Sequence, residues 1–124
     1  TDGHAKNISL LQNEHGQWRI APAYDLVGTL VLGYHRDLAF SIGEQVNSQQ
    51  LLPRDWQAFA KESRFSYPFV RREILALANK LDQLLNSQEL SRALSEAGLS
   101  EQGWHRLQQQ RQHIHTQCRK AQRW

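Results

Sequence analysis

The sequence lacks the features that mark secreted and membrane-spanning proteins. Among its 124 residues there is one cysteine, Cys118, and no methionine. No run of apolar residues approaches the ~18 that a membrane-spanning helix needs. A lone cysteine excludes a disulfide within the chain and suits a reducing cytoplasm. No signal peptide is visible, so we expect a soluble, cytoplasmic protein.

The composition that is present is typical of a folded chain with a modest positive charge. The hydrophobic fraction is 40%, there are four tryptophans, and the formal net charge is +3. A chain of this length can bury a core. Basic residues collect near the C-terminus, at Arg106, Arg111, Arg119, Lys120 and Arg123. Such a cluster could favour an acidic partner or nucleic acid, although a solvated helix face is the more common origin.

The residues that bear most directly on chemistry lie in the first 25 positions. Asp2 is followed five residues later by Asn7, and Asp25 comes after a segment with the pattern of a hairpin. This order is that of a kinase catalytic centre. One carboxylate must accept or orient the proton of the attacking hydroxyl, and we assign that role to Asp2. Because Mg²⁺ prefers one or two carboxylate oxygens together with phosphate and water, Asp25 and the amide oxygen of Asn7 are predicted as its ligands.

Two basic residues stand between Asp2 and Asn7. Lys6 and His4 could donate to phosphate oxygens or bridge to an aspartate. Taken singly these residues carry little information, because Asp-Gly is a common turn pair and chain ends are often disordered. The joint pattern is what predicts a phosphoryl-transfer site.

Three segments resemble a known family. They read Thr-Asp-Gly-His-Ala-Lys-Asn at 1–7, Ala-Pro-Ala-Tyr-Asp-Leu at 21–26 and Asp-Leu-Ala-Phe-Ser-Ile-Gly at 37–43. The chain resembles the C-terminal part of the HipA-like serine/threonine-protein kinases, bacterial toxins of toxin–antitoxin modules. The Asp-x-His-x-x-Asn order also occurs in lipid-kinase relatives. The resemblance implies that Asp2 is the catalytic base and that Asn7 and Asp25 are the magnesium ligands. It also implies a nucleotide-binding set, which consists of His4, Ala5, Lys6, Asn7, Tyr24 and Asp25.

The same resemblance implies cofactors and partners. They are ATP with Mg²⁺, a protein substrate such as an aminoacyl-tRNA synthetase, and a DNA-binding antitoxin. The phosphate-covering loop, phosphate-pairing lysine and adenine pocket of a kinase precede its catalytic loop. Those parts would precede residue 1, and the chain has no initiator methionine, so we expect a piece of a longer protein. Because the part that covers the nucleotide is missing, we expect this piece to be inactive by itself. Two alternatives stay open: a degraded kinase that keeps only the fold, and a helical module that binds an antitoxin or nucleic acid through its basic C-terminal helix.

The first half of the chain has the pattern of short strands. Residues 7–21 combine two short runs with turn residues at 13–16, which predicts a β-hairpin that brings Asn7 and Asp25 within a few ångströms. Trp18 and Ile20 share one face of its second strand.

The segment after Asp25 is less distinct. We predict a substrate-facing loop over Gly28–Arg36, with a buried strand over Thr29–Leu32 as the alternative. Residues 37–43 resemble the family, but no chemistry is assigned to them.

From Leu52 onward the pattern is helical. Apolar spacing and capping residues predict four helices. The first begins at Pro53, and the second begins at Ser66–Pro68 and runs to Leu84 or Leu85. The third is capped by Ser87 and stopped by Gly98, and the last runs from Ser100 towards Gln122. The thin apolar stripe of the last helix predicts a surface helix, or one that packs on a partner or on another part of a longer protein. His113 and His115 are two residues apart and would point to different sides, so we predict no metal site there.

These observations together predict an α+β fold. We expect a kinase-like C-lobe fragment in which a short β-hairpin and catalytic loop pack on a mostly α-helical subdomain. Residues 1–124 would form a single domain, with the catalytic loop, hairpin and metal-binding segment in 1–45 and the helical subdomain in 50–124.

Overall fold

A computed structural model of the chain describes residues 7–25, 28–33 and 37–124 and, for Leu30 and Val31, the backbone only. Two antiparallel two-stranded sheets precede four helices in these residues. The elements are β1 (Leu10–Gln12), β2 (Trp18–Ile20), β3 (Asp37–Ile42), β4 (Gln45–Asn47), α1 (Pro53–Glu62), α2 (Tyr67–Leu85), α3 (Gln88–Glu96) and α4 (Glu101–Gln122). The predicted α+β class is confirmed.

A tight turn joins β1 to β2. The side-chain oxygen of Asn13 accepts hydrogen bonds from the backbone N–H of His15 at 3.0 Å and of Gln17 at 2.9 Å. Gly16 has a φ of 76°, a left-handed conformation that glycine adopts without steric cost. The turn chemistry is local, and the predicted hairpin is confirmed.

The chain pairing extends beyond the strands at the open end of this hairpin. Leu10 pairs with Ile20, and beyond that pair the backbone N–H of Ala21 donates to the carbonyl of Ser9 at 2.8 Å. Antiparallel pairing therefore continues past the strands towards residues 7 and 25.

The second hairpin, β3–β4, lies close against α1. Gly43 has a φ of 58°, and a Cβ at this position would lie 3.0 Å from both the Asp55 carbonyl oxygen and the Ala58 Cβ. Only glycine meets both requirements. The 37–43 segment, to which the sequence assigned no chemistry, thus places its hairpin against the first helix.

The segment 28–33 is neither a plain loop nor a strand. Residues Thr29–Leu32 form a short 3₁₀ helix, and Gly33 follows with a φ of 81°. The buried-strand alternative is wrong, because the backbone forms a local turn of helix instead of pairing with a neighbouring strand. Residues 34–36 of the predicted loop lie outside the described residues.

The helices begin where capping chemistry predicts. Ser66, Ser87 and Ser100 each accept a hydrogen bond from the backbone N–H three residues on, at 3.4, 3.1 and 3.2 Å. Pro53 is the first residue of α1, and Gly98, with a φ of 60°, follows the end of α3. All four predicted helices are confirmed. Within the described ranges, none of them has the length and hydrophobicity that crossing a membrane requires.

Helix α4 packs on α2. Ala78 of α2 and Cys118 and Ala121 of α4 are buried together, and a partly buried apolar group surrounds them, formed by Ile74, Leu81, Ile114 and Trp124. Helix α4 lies at the surface, as one of the two predictions had it, since Cys118 and Ala121 are its only buried residues. The alternative, that its apolar edge packs on a partner or on another part of a longer protein, is corrected, because this edge packs on α2. Small side chains let the two helices approach closely, and the thin stripe of large residues did not reveal this.

Candidate functional site

The side chains of Asn7 and Asp25 meet at the open end of the first hairpin. The Asn7 amide donates from Nδ2 to Oδ2 of Asp25 at 3.0 Å. Asn7 is 9% exposed, whereas Asp25 is exposed to solvent. The closeness that the hairpin predicted is observed, because antiparallel pairing returns the chain to the level of its start.

This pair has the donor chemistry of a hard cation site. Oδ1 of Asn7 is buried and accepts no hydrogen bond from the part of the chain that the structure describes. A buried acceptor without a partner costs about 1–3 kcal/mol. Carboxylate and amide oxygens are ligands that Mg²⁺ takes, with phosphate and water supplying the others. The residues present therefore fit the predicted metal.

The backbone at Asp25 is strained. Its φ of 55° lies in the left-handed region, which costs an ordinary L-residue about 1–2 kcal/mol. Aspartate and asparagine tolerate this conformation better than most residues because their short polar side chains bond locally. Strained residues of this kind cluster at functional sites, where the surrounding structure holds them.

A second contact crosses the same end of the hairpin. The hydroxyls of Ser9 and Tyr24 lie 2.7 Å apart. Tyr24 was predicted to line the nucleotide, and its side chain is 43% exposed. Ser9 was not predicted, although the alternation of Asn7 and Ser9 with apolar neighbours was a signal that the two share a strand face.

The remaining predicted site residues are Asp2, His4, Ala5 and Lys6. They lie outside the described residues, and their roles stay predictions.

The hairpin carries an exposed apolar face. Leu10, Trp18 and Ile20 are 60%, 64% and 71% exposed. Leu10 is the cross-strand partner of Ile20, and side chains of such a pair lie on one face. Trp18 and Ile20 share a face as predicted, and that face is directed to solvent.

The basic residues of α4 divide into two groups. Arg111 donates to the carbonyl of Leu85 at the end of α2, and Lys120 donates to the carbonyl of Gln49 at 2.8 Å. Both therefore bind backbone oxygens within the chain. The exposed members of the cluster are Arg106, Arg119 and Arg123.

A polar contact that the sequence did not reveal joins α2 to α4. Nδ1 of His115 lies 2.6 Å from Oδ1 of Asp82, and both side chains are mostly buried. This contact links the two helices.

Burial shifts the pKa of two other groups on α4. Burial and the nearby Asp82 charge raise the pKa of the Cys118 thiol, and burial lowers the pKa of His113. Among the described residues there is no group of three His, Cys, Asp or Glu side chains arranged to hold a metal ion.

Comparison with known proteins agrees with the residue pattern. The HipA-like C-terminal domain family matches residues 1–89, well over half of the chain. The match takes in both hairpins, α1 and α2, whereas α4 lies beyond it. No curated protein and no solved structure matches the chain. The predicted resemblance is confirmed: the chain belongs to the family of HipA-like C-terminal domains.

Proposed function

We propose that the chain is the catalytic-loop and helical part of an ATP-dependent protein serine/threonine kinase. The observation that carries the proposal is the contact between the buried Asn7 amide and the exposed Asp25 carboxylate at 3.0 Å. Two oxygen-bearing side chains that are 18 positions apart are held together by a hairpin, and one buried oxygen, Oδ1 of Asn7, has no donor among the described residues. That arrangement suits a magnesium half-site next to nucleotide phosphates.

In this mechanism the chain mainly positions groups and removes a proton. Asn7 and Asp25 would hold Mg²⁺, which when bound would neutralise charge on the phosphate oxygens. Asp2 would accept the proton of a serine or threonine hydroxyl while the oxygen of that hydroxyl forms a bond to the γ-phosphorus. The bond from that phosphorus to the bridging oxygen breaks, and ADP leaves with the electron pair.

Four further residues would contact the nucleotide in the proposal. His4, Ala5, Lys6 and Tyr24 would line its phosphates, as the family resemblance implies. A basic side chain beside phosphates offsets their charge, and backbone N–H groups can donate to their oxygens.

The proposal extends to an intact protein and its partners. A phosphate-covering loop, a phosphate-pairing lysine and an adenine pocket would come from sequence outside residues 1–124. The exposed hairpin face of Leu10, Trp18 and Ile20 supports packing against further structure, since exposed apolar patches mark interaction surfaces. By resemblance, the protein would be a cytoplasmic toxin that phosphorylates a protein such as an aminoacyl-tRNA synthetase and binds a DNA-binding antitoxin.

Calorimetry of ATP binding, with and without Mg²⁺, tests the proposal on the intact protein that contains this chain. We expect Mg²⁺-dependent binding that Asp25→Ala abolishes. Glu14→Ala is the matched control, because Glu14 is a carboxylate in the hairpin turn with a side chain 87% exposed. It should bind as the wild type does. Absence of Mg²⁺-dependent binding in the wild type, or equal binding by Asp25→Ala, would refute the kinase assignment.

A second candidate is a helical module that binds nucleic acid or an acidic partner. It is favoured by Arg119 and Arg123, which are exposed and one helical turn apart at the end of α4. Arg111 and Lys120 bond to backbone carbonyls instead. This leaves fewer free cations than the sequence suggested, so the kinase proposal is the stronger one.

A further inference from the structure

A four-residue segment leads from the paired part of the first hairpin to Asp25. It reads Ala-Pro-Ala-Tyr at 21–24. Pro22 has a restricted φ and no backbone N–H, so it cannot donate a further ladder hydrogen bond. The path of this segment decides where Asp25 lies relative to Asn7. Contacts that hold the segment therefore shape the candidate site.

Ser9 contacts this segment at both of its ends. Its backbone carbonyl accepts the N–H of Ala21 at 2.8 Å, and its side-chain hydroxyl lies 2.7 Å from the hydroxyl of Tyr24. The main chain and the side chain of one partly buried residue thus hold two positions that are three residues apart. A segment that is held at both ends has fewer conformations than one held at a single end.

The contact of Ser9 adjoins the contact between the proposed metal ligands. Nδ2 of Asn7 donates to Oδ2 of Asp25 at 3.0 Å, and Tyr24 is the residue before Asp25. Two consecutive residues are therefore each joined to the start of the hairpin through their side chains. The φ of 55° at Asp25 is a conformation that the surrounding structure has to hold. A fixed Tyr24 side chain restricts the backbone that enters this strained residue.

We infer that Ser9 is a positioning residue for the proposed metal ligand Asp25. By holding the Tyr24 hydroxyl, its side chain would keep residues 21–24 in the conformation in which Asp25 meets Asn7. This role rests on the proposed function, in which Asp25 holds Mg²⁺. Ser9 would act through Tyr24 and would touch neither the metal nor the reacting atoms.

Removal of either hydroxyl in the intact protein tests this role. The variants are Ser9→Ala, Tyr24→Phe and the two combined, and the measured quantity is the Mg²⁺ concentration that gives half-maximal ATP binding. A hydrogen bond of ordinary net strength shifts an equilibrium by roughly two- to tenfold. We expect Ser9→Ala to raise this concentration about threefold. In the Tyr24→Phe protein the same change should have no further effect, because the partner hydroxyl is already absent.

Two further variants separate the hydroxyl contact from a general effect of substitution. Ser95→Ala is the matched control, because the Ser95 hydroxyl also makes a hydrogen bond of 2.7 Å, to the carbonyl of Arg92 in α3. It should leave the Mg²⁺ requirement unchanged. Ser9→Thr keeps the hydroxyl, and its β-branched side chain suits an extended backbone. This variant should stay within about twofold of wild type.

ATP affinity without Mg²⁺ distinguishes positioning from loss of structure. In Ser9→Ala it should fall by less than the Mg²⁺ requirement rises, whereas a damaged fold would impair both alike. An equal effect on both quantities would overturn the positioning role. An unchanged Mg²⁺ requirement in Ser9→Ala, a Ser9→Thr protein as impaired as Ser9→Ala, or additive effects of Ser9→Ala and Tyr24→Phe would overturn it too.

Failure of the proposed function gives a different result. A wild-type protein without Mg²⁺-dependent ATP binding refutes that function and the role of Ser9 with it. A wild-type protein that shows such binding, with Ser9 variants that match it, refutes the role of Ser9 alone. Should Ser9→Ala fail to fold, Tyr24→Phe decides by itself, and an unchanged Mg²⁺ requirement in that variant refutes the positioning role.

Discussion

Three substitutions of Asp25 separate its proposed metal role from its structural one. Asp25→Asn, Asp25→Ala and Asp25→Gly all remove the carboxylate charge. They differ in what they leave for the Asn7 amide and for a backbone with a φ of 55°. We therefore expect stability and metal binding to respond differently across the series.

The expected stabilities follow from two local terms. Asparagine keeps an oxygen for the Asn7 amide and tolerates the left-handed backbone, so Asp25→Asn should cost less than about 1 kcal/mol. Alanine leaves the buried amide without its acceptor, at about 1–3 kcal/mol, and keeps the backbone strain. Glycine leaves the same amide but removes about 1–2 kcal/mol of strain, against about 0.4–1 kcal/mol of added freedom in the unfolded chain. Asp25→Gly should thus be more stable than Asp25→Ala by roughly 0.5–1 kcal/mol.

Two assays on the same preparations check this. Urea unfolding followed by tryptophan fluorescence should rank the free energy of unfolding as wild type, Asn, Gly and Ala in descending order. Calorimetry should show Mg²⁺-dependent ATP binding lost in Asp25→Ala and Asp25→Gly and clearly weakened in Asp25→Asn, because an amide oxygen can still meet the metal but carries no charge. A stable Asp25→Asn protein that still binds Mg²⁺ and ATP normally would refute the ligand assignment. An Asp25→Gly protein less stable than Asp25→Ala would refute the reasoning about backbone strain.

Three further predictions concern other parts of the chain. In the intact protein Asp2→Asn should slow phosphoryl transfer by about 10²–10⁴-fold while ATP still binds; near-normal transfer would remove Asp2 as the base. Because burial and the Asp82 charge raise the pKa of the Cys118 thiol, alkylation of the folded protein should be slow until the pH passes the usual thiol range, and Asp82→Asn should speed it at a given pH. The pKa of this thiol is higher in the folded than in the unfolded chain, so the thiol stabilises the fold below its unfolded pKa and loses that contribution as pH rises through the folded pKa. Urea unfolding at several pH values would detect this loss. A wild-type thiol that is alkylated like a free cysteine would contradict the prediction. If the helical-module function holds, nucleic-acid binding should weaken steeply with salt and fall on Arg119→Ala and Arg123→Ala, whereas salt-independent binding would exclude it.

The local structure of this chain was largely predictable from sequence. Ser66, Ser87 and Ser100 cap their helices through hydrogen bonds that reach only three residues along the chain. The turn at Asn13 and Gly16 has the same short range. Interactions of this kind depend on neighbours in sequence, and a single sequence contains those neighbours.

Predictions that needed the packing of distant elements were incomplete. Residues Thr29–Leu32 formed a 3₁₀ helix where a loop or a strand was expected. The Lys120 side chain, counted as part of a free basic cluster, donates to a carbonyl 71 residues away. Neither outcome follows from local composition, because each depends on which surface the segment meets.

By itself the sequence determined the residue types of the candidate site, Asn7 and Asp25, and a hairpin whose antiparallel pairing brings them together. Only the tertiary structure decided that α4 packs on α2 and that Gln110 meets Gly28. The physical reason is the range of the interactions. Caps and turns are formed within a few residues, whereas helix packing depends on the fit of small side chains from distant parts of the chain, such as Ala78 and Ala121.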